Sequence, residues 1–320
     1  MQPLIIIGAS GFIGHSLLML FGRNINYKIR IISRDVKKFT GIDVDGIEII
    51  QGDLLNKTTL DALIEPGAIV INLAYLDNSD KFTNLNVITN LVDNCKSTGI
   101  KRLIHCSTCS VYGNVKNNIV TEEVSCKPKT EYERTKYEIE KLLIKEAINN
   151  FELIILRPTS VFGSNGKNLL KCVQSFEYGN PITNYLRACI YSKRRMNIVS
   201  VDTVASSIKY LSELKINNQQ EVFIISEDDE VKNNYYDIEY MLRKYMHIKH
   251  YIIPIIPLPN YFLRLILMLR FRSNSNPYKI YSSNKIRKLG FNPPQSLEQS
   301  LKSYVEDYQK NNLNNSSIDI

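Results

Sequence analysis

Three glycines spaced three apart, Gly8, Gly11 and Gly14, follow directly on the apolar run Leu4 to Ile7 and open a helical candidate, Phe12 to Phe21. In that setting each glycine has a separate reason. The first permits the tight turn, the second lets a pyrophosphate approach the backbone, and the third lets helix and strand pack closely. Phosphates would rest on the first amides of the helix, at the positive end of its dipole. Ser10, Phe12 and Ile13 belong to the same loop and are expected to touch the same ligand. The pattern predicts a dinucleotide-binding sheet that starts with the first residues of the chain.

The rhythm continues for half the sequence. Apolar runs at Ile29 to Ile32, Ile47 to Ile50, Ala68 to Leu73, Leu103 to Cys106 and Leu153 to Leu156 read as buried parallel strands. Helical candidates such as Leu85 to Lys96 and Glu131 to Ile148 are long enough to cross over between them. The expected fold is α/β: a Rossmann-type, doubly wound parallel sheet with a smaller C-terminal substrate lobe. Residues 1–163 would form the dinucleotide-binding domain, rejoined by about 197–226 through a strand at Val222 to Ile225. After Pro158 the alternation fails, and Gly163 to Met196 reads as loop-rich from its Gly-Ser-Asn-Gly and Gly-Asn-Pro signals. Residues 164–196 and 227–310 are assigned to the substrate lobe, and 311–320 to a loose tail.

A chain of 320 residues with 44% hydrophobic and 22% charged residues has the balance of a globular enzyme. Its formal charge of +8 is scattered rather than gathered into a basic run, so nucleic acid is not expected as a partner. Six cysteines lack the spacing of a disulfide framework, and the chain leads from Met1 straight into its first strand. Both point to a reducing cytoplasm. Cys106 and Cys109 form a C-x-x-C at the end of a strand rather than at the start of a helix, so neither a redox role nor a metal is expected there. Tyr251 to Phe271 is strongly apolar, but Pro254, Pro257, Pro259, Arg264 and Arg270 interrupt it. It reads as a connector and a packed helix, or as an interfacial helix lying on a membrane, and not as a transmembrane span.

At the end of the second strand a dinucleotide fold reads the adenosine ribose, with a carboxylate for NAD or a cation for the extra phosphate of NADP. Ser33-Arg34-Asp35 stands there, with Lys37 and Lys38 behind it, so NADP is favoured over NAD. Tyr132 and Lys136, four apart on a helical candidate, project from one face. An ammonium near a phenol lowers its pKa, which would let Tyr132 exchange a proton with a substrate hydroxyl while Lys136 holds the nicotinamide ribose. The end of the fifth strand, His105 to Gly113, supplies a hydroxyl to hold the reacting oxygen, from Thr108 or Ser107.

These residues together resemble the extended short-chain dehydrogenase/reductases, specifically the NAD-dependent epimerase/dehydratase family to which UDP-glucose 4-epimerases belong. The resemblance includes Gly52-Asp53-Leu54, Leu73-Ala74-Tyr75, Asn86-Val87, Ser107-Thr108 with Val111-Tyr112-Gly113, and Tyr132 with Lys136. It continues through Arg157-Pro158, Val161-Phe162-Gly163, Val199 to Ala205 and Lys288 to Phe291. It implies that Asp53 and Leu54 contact adenine, and that Leu73, Ala74, Tyr75 and Pro158 line the cofactor groove. It places Thr108, Tyr132 and Lys136 as the catalytic set. It further implies a nucleotide-sugar substrate held by Ser110, Ser160 and the pair Arg194-Arg195, and a homodimer. The related dehydratases carry Asp-Glu where this chain has Cys109-Ser110, which disfavours dehydration.

The resulting expectation is a sugar-nucleotide epimerase or 4-ketoreductase of polysaccharide biosynthesis. Two other readings stand beside it: a non-enzymatic NAD(P)-binding redox sensor or assembly factor, and a membrane-associated epimerase of a lipid-linked sugar.

Overall fold

The glycine loop joins β1 (Gln2–Ile7) to α1 (Phe12–Phe21), the first of a series of strand-to-helix steps. This is seen in a computed structural model that describes residues 1–22, 26–39, 46–164, 166–216, 218–259 and 276–316. The strands that follow are β2 (Tyr27–Ser33), β3 (Ile47–Gln51), β4 (Ile69–Asn72), β5 (Arg102–Cys106), β6 (Ile119–Val120), β7 (Glu152–Pro158), β8 (Ser160–Phe162), β9 (Ile198–Ser200), β10 (Gln220–Ile225) and β11 (Ile280–Tyr281). The helices after α1 are α2 (Lys57–Leu63), α3 (Lys81–Thr98), α4 (Glu131–Ala147), α5 (Leu170–Tyr178), α6 (Pro181–Tyr191), α7 (Val201–Glu213), α8 (Tyr235–Tyr245), α9 (Asn284–Lys288) and α10 (Leu297–Ser316).

Seven strands form one parallel sheet in the order β10-β7-β5-β4-β1-β2-β3. The order reverses direction at β1, and the crevice at such a reversal is where open α/β sheets bind ligands. The middles of these strands are mostly apolar because both faces of the sheet are covered. In β1, Leu4 and Ile6 pack with Leu17 and Phe21 of α1 and Val204 and Ile208 of α7. Ile5 and Ile7 pack on the other side with Leu60 of α2, Leu91 of α3 and Leu143 of α4.

Two short parallel pairs, β8 with β9 and β6 with β11, bring later parts of the chain back over the ends of the main strands. A further core gathers Phe162, Val173, Phe176, Ile238, Leu242, Leu301 and Val305. It joins the segment after β7 to α5, α8 and α10.

The loop expected over Gly163 to Met196 is instead largely helical, as α5 and α6. The Gly-Asn-Pro signal marks a helix start: Asn180 Oδ1 accepts from the amides of Ile182 and Thr183, and Pro181 occupies the first turn, where its missing N–H costs nothing. The last helix runs on to Ser316, past the point where a loose tail was expected. Residues 251–259 form neither helix nor strand, and the helix expected to complete the apolar stretch lies outside the described residues. Among the described residues no helix is long and apolar enough to cross a membrane.

Candidate active site

α4 begins with a reciprocal cap. The Thr130 hydroxyl accepts from the Glu133 amide, and Glu133 Oε2 accepts from the amides of Lys129 and Thr130. This fixes the first turn, which carries Tyr132, with Lys136 one turn on. Further along, Glu140 and Arg157 make a two-pronged ion pair at 2.6 and 3.1 Å, both side chains buried, and the Arg157 guanidinium lies 4.8 Å from the Tyr112 ring centre. The pair ties α4 to β7, and thereby fixes Tyr132 and Lys136 relative to the strand ends.

Those strand ends open into a cavity of about 740 Å³. Thr108, Tyr132, Lys136 and Pro158 line it, together with Phe12 and Ile13 from the glycine loop and Leu73 from the end of β4. Thr108 Oγ1 accepts from the Ser110 amide at 3.1 Å, which leaves its proton to donate. The Thr108 hydroxyl acts to lower the pKa of the Tyr132 phenol.

Although 42% of Tyr132 is exposed, its hydroxyl end is hemmed in, and burial pushes the phenol up to about 12, aided by Cys106, Tyr75 and Asp77. The net shift is thus upward, opposite to the lowering expected from Lys136. The Lys136 ammonium is buried, sits 3.4 Å from the Cys106 carbonyl oxygen and 4.5 Å from the Tyr75 ring centre, and burial pulls its pKa down. Tyr75 in turn meets the Tyr132 ring edge-on at 5.3 Å.

Beneath the floor lies a buried pair that the sequence reading missed. Asn72 Nδ2 and His105 Nδ1 are 3.2 Å apart, while Asn72 Oδ1 accepts from the Ala74 amide. Burial, then Lys136, holds His105 well below the usual imidazole range, so it stays neutral. The pair shapes the β4 turn that presents Leu73 and Ala74. The C-x-x-C thiols are packed rather than exposed for redox exchange: burial pushes Cys106 up to about 11, and Cys109 Sγ donates to the Arg157 carbonyl.

A second cavity, of about 320 Å³, adjoins the first at Leu73. Gly8, Ser10, Gly11, Arg34, Asp53, Leu54, Leu73, Ala74 and Tyr75 line it, with Asp35 and Lys38. The loop between the cavities fits a dinucleotide. A Cβ on Gly14 would lie 2.3 Å from the Gly8 carbonyl oxygen and 2.6 Å from Ala9 Cα, so only glycine lets α1 start this close to the strand. Gly8 has φ +83°, and its Cβ would press on the Ala74 amide at 3.0 Å. Gly11 caps α1 without a side chain, and the first turn holds no acid, so its amides and dipole can serve an anion. Asp53 Oδ1 accepts from the Leu55 amide, and Asp35 Oδ1 from the Lys37 amide.

On the far side of the first cavity stand Ser110, Ser160 and Arg194. Arg194 is buried, with its guanidinium 5.4 Å from the Tyr191 ring and 5.6 Å from the Tyr235 ring. Arg195 is not brought there. Its Nη1 donates to the carbonyls of Glu230 and Val231, because the Arg195 to Asn234 bridge turns it away. Residues that went unnoticed in the sequence also line this wall: Thr159, Asn168, Asn197 and Tyr281. The Ser107 and Thr159 hydroxyls are buried and have no hydrogen-bond partner among the described residues. Thr159 could have been suspected from its place next to Pro158. Asn197 and Tyr281 carried no signal, since folding alone brings them to the site. A side cavity of about 590 Å³ continues past Asn168 and Met196 to Lys171, Arg187, Tyr235 and Glu239.

Comparison with known proteins gives the family and the fold. The family model for the NAD dependent epimerase/dehydratase family matches residues 4–206. Among curated proteins, the chain is 30% identical over 188 residues to a Saccharomyces cerevisiae sterol-4-alpha-carboxylate 3-dehydrogenase, decarboxylating, covering 53% of the chain and 54% of the relative. It is 26% identical over 196 residues to an Oryza sativa UDP-glucose 4-epimerase, covering 53% and 47%. The chain thus spans about half the length of the curated relatives it matches. Its fold is shared with a dTDP-glucose 4,6-dehydratase from Bacillus anthracis solved with NAD (TM-score 0.72, 18% identity, 97% of each chain). It is shared also with a UDP-glucuronic acid 4-epimerase from Bacillus cereus solved with NAD (TM-score 0.71, 20% identity, 96% of each chain).

Proposed function

The chain belongs to the NAD dependent epimerase/dehydratase family, and from that premise we propose that it moves a hydride between a nicotinamide cofactor and a carbon of a nucleotide-linked sugar, as an epimerase or a 4-ketoreductase. The observation that carries this reading is the gathering of Thr108, Tyr132 and Lys136 around one cavity that the glycine loop also borders. When bound, the cofactor accepts or supplies the hydride. Gly8, Ser10, Gly11, Phe12, Ile13 and Gly14 would hold its pyrophosphate, and Asp53, Leu54, Leu73, Ala74, Tyr75 and Pro158 its ring systems.

Oxidation breaks the sugar C–H bond with loss of hydride, while the hydroxyl proton passes to Tyr132; reduction reverses both transfers. A phenol pushed up to about 12 stands protonated at neutral pH and is set to act as the acid in reduction. Thr108 donates to the reacting oxygen, and the Lys136 charge favours the phenolate needed for oxidation. Ser110, Ser160 and Arg194 are assigned to the substrate. The hydroxyl-rich wall of Ser107, Thr108, Ser110, Thr159 and Ser160 supports a polyhydroxylated substrate over a sterol.

Arg34 and Lys38 at the exposed end of β2 support NADP over NAD, since Asp35 is engaged with the Lys37 amide. Six free thiols among the described residues support a cytoplasmic setting. The test is incubation with UDP- and dTDP-sugars and either cofactor, with product analysis by mass spectrometry and chromatography. Interconversion of epimers or formation of a reduced sugar supports the reading. Cofactor binding with no turnover of any sugar would favour the redox-sensor alternative.

A further inference from the structure

A buried ammonium is costly unless its charge is compensated. Lys136 is buried at the first cavity, and among the described residues it takes part in no ion pair. Glu140, one turn further along α4, is committed to Arg157, and Asp77 favours the charge from beyond ion-pair distance. The Cys106 carbonyl accepts at 3.4 Å, a long contact for a charged donor. The Tyr75 ring supplies what these groups do not: its centre is 4.5 Å from the ammonium. That is inside the range in which the electron-rich face of a ring attracts a cation, and burial strengthens the attraction.

The ring is fixed on both sides of its own residue. Asn72 Oδ1 accepts from the Ala74 amide at 3.1 Å. Asn84, buried in the first turn of α3, accepts from the Leu76 amide at 3.0 Å and donates to the Leu76 carbonyl at 3.1 Å. Asn72 is paired in turn with His105, which stays neutral and so adds no second positive charge beside Lys136. The same ring meets the Tyr132 ring edge-on and lines the second cavity. One residue outside α4 thus touches both the tyrosine and the lysine of the site, and borders the groove that adjoins the glycine loop.

We propose that Tyr75 is a positioning residue for the hydride transfer: its ring face holds the Lys136 ammonium charged and in place, and its contact with Tyr132 sets both side chains relative to the cofactor groove. The role belongs to the ring and not to the hydroxyl. An aliphatic side chain of similar bulk fills the space but has no quadrupole to attract a cation. An ammonium has three donors, so the ring and the Cys106 carbonyl do not exhaust it, and it keeps donors for the nicotinamide ribose. The consequence for turnover rests on the sugar-nucleotide reading; the hold on Lys136 does not.

The test follows the Lys136 ε-methylene signal by NMR in protein carrying isotope-labelled lysine, the signal being assigned by its loss in Lys136→Met. Ring currents move a group held over an aromatic face upfield, so the parent signal is expected upfield of the exposed lysines. Tyr75→Phe should keep that shift. Tyr75→Leu and Tyr75→Met should lose it, and in both Lys136 should titrate about one pH unit lower than in the phenylalanine variant. Circular dichroism checks that each variant is folded, and the parent signal tests the ring position without any variant. With a sugar nucleotide, kcat of the leucine variant should fall about tenfold or more below that of the phenylalanine variant. The proposal is overturned if the parent Lys136 signal lies among the exposed lysines. It is overturned equally if Lys136 titrates in the leucine variant as in the phenylalanine variant, which would reduce Tyr75 to packing alone. A parent that turns over no sugar nucleotide counts against the sugar-nucleotide reading, and the titration, which needs no substrate, still decides for or against Tyr75.

Discussion

At Tyr132 two local effects oppose each other: burial raises the phenol to about 12, while the Thr108 hydroxyl acts to lower it. If Tyr132 handles the proton, Tyr132→Phe should reduce kcat by about a hundredfold or more while NADPH binding is retained; calorimetry with single-turnover kinetics separates the two. Thr108→Val should lower kcat less and shift the alkaline limb of the pH profile for reduction upward, because the phenol loses the hydroxyl that favours its charged form; an unshifted limb would count against that role. The Tyr and Lys of the site were legible because a helix places residues four apart on one face whatever surrounds it. Arg195 was not, since its direction depends on carbonyls at Glu230 and Val231 that the sequence does not place beside it. The upward shift of Tyr132 was not legible for a related reason: spacing fixes the helix face, but the packing that buries the phenol comes from other parts of the chain.

Among the elements, α4 and β7 are joined through the buried Glu140–Arg157 pair. Removing one partner leaves a buried charge uncompensated, so Glu140→Ala should cost about 3–5 kcal/mol in denaturant unfolding, far more than loss of an exposed pair. A cost under about 1 kcal/mol would mean that the pair is not what holds the helix. The alternation of strands and crossover helices was readable because a sheet covered on both faces needs apolar runs. The two helices after Pro158 were not, because Gly-Asn-Pro has the composition of a turn and becomes a cap only when a helix follows. The short pairs β8 with β9 and β6 with β11 were also hidden, since strands of two or three residues have no period to detect.

Over the whole molecule, the cavity wall depends on distant segments tied together by Asp228. This buried carboxylate accepts from Asn197 Nδ2 at 2.5 Å, the Tyr281 amide at 2.9 Å and Asn233 Nδ2 at 3.1 Å. Burial pushes it up to about 7, against an ordinary value of 3.8. With the folded pKa raised, the folded state binds the proton more tightly than the unfolded chain. Its contribution to stability is therefore full below the ordinary value and is lost as pH rises through about 7. Chemical denaturation across that window should show Asp228→Asn with a flatter pH dependence than the parent. No local pattern could have revealed this tie, which spans Asn197 to Tyr281.

The central claim is that the glycine loop and the Thr108, Tyr132 and Lys136 cavity form one nicotinamide-nucleotide site. It is tested most directly by titrating the purified protein, after identifying by mass spectrometry any nucleotide released on denaturation, with NADPH and NADH in a calorimeter. The account predicts saturable binding with NADPH tighter than NADH, and an Arg34→Ala change that narrows the gap. Failure of the folded protein, freed of any retained nucleotide, to bind either one would contradict it.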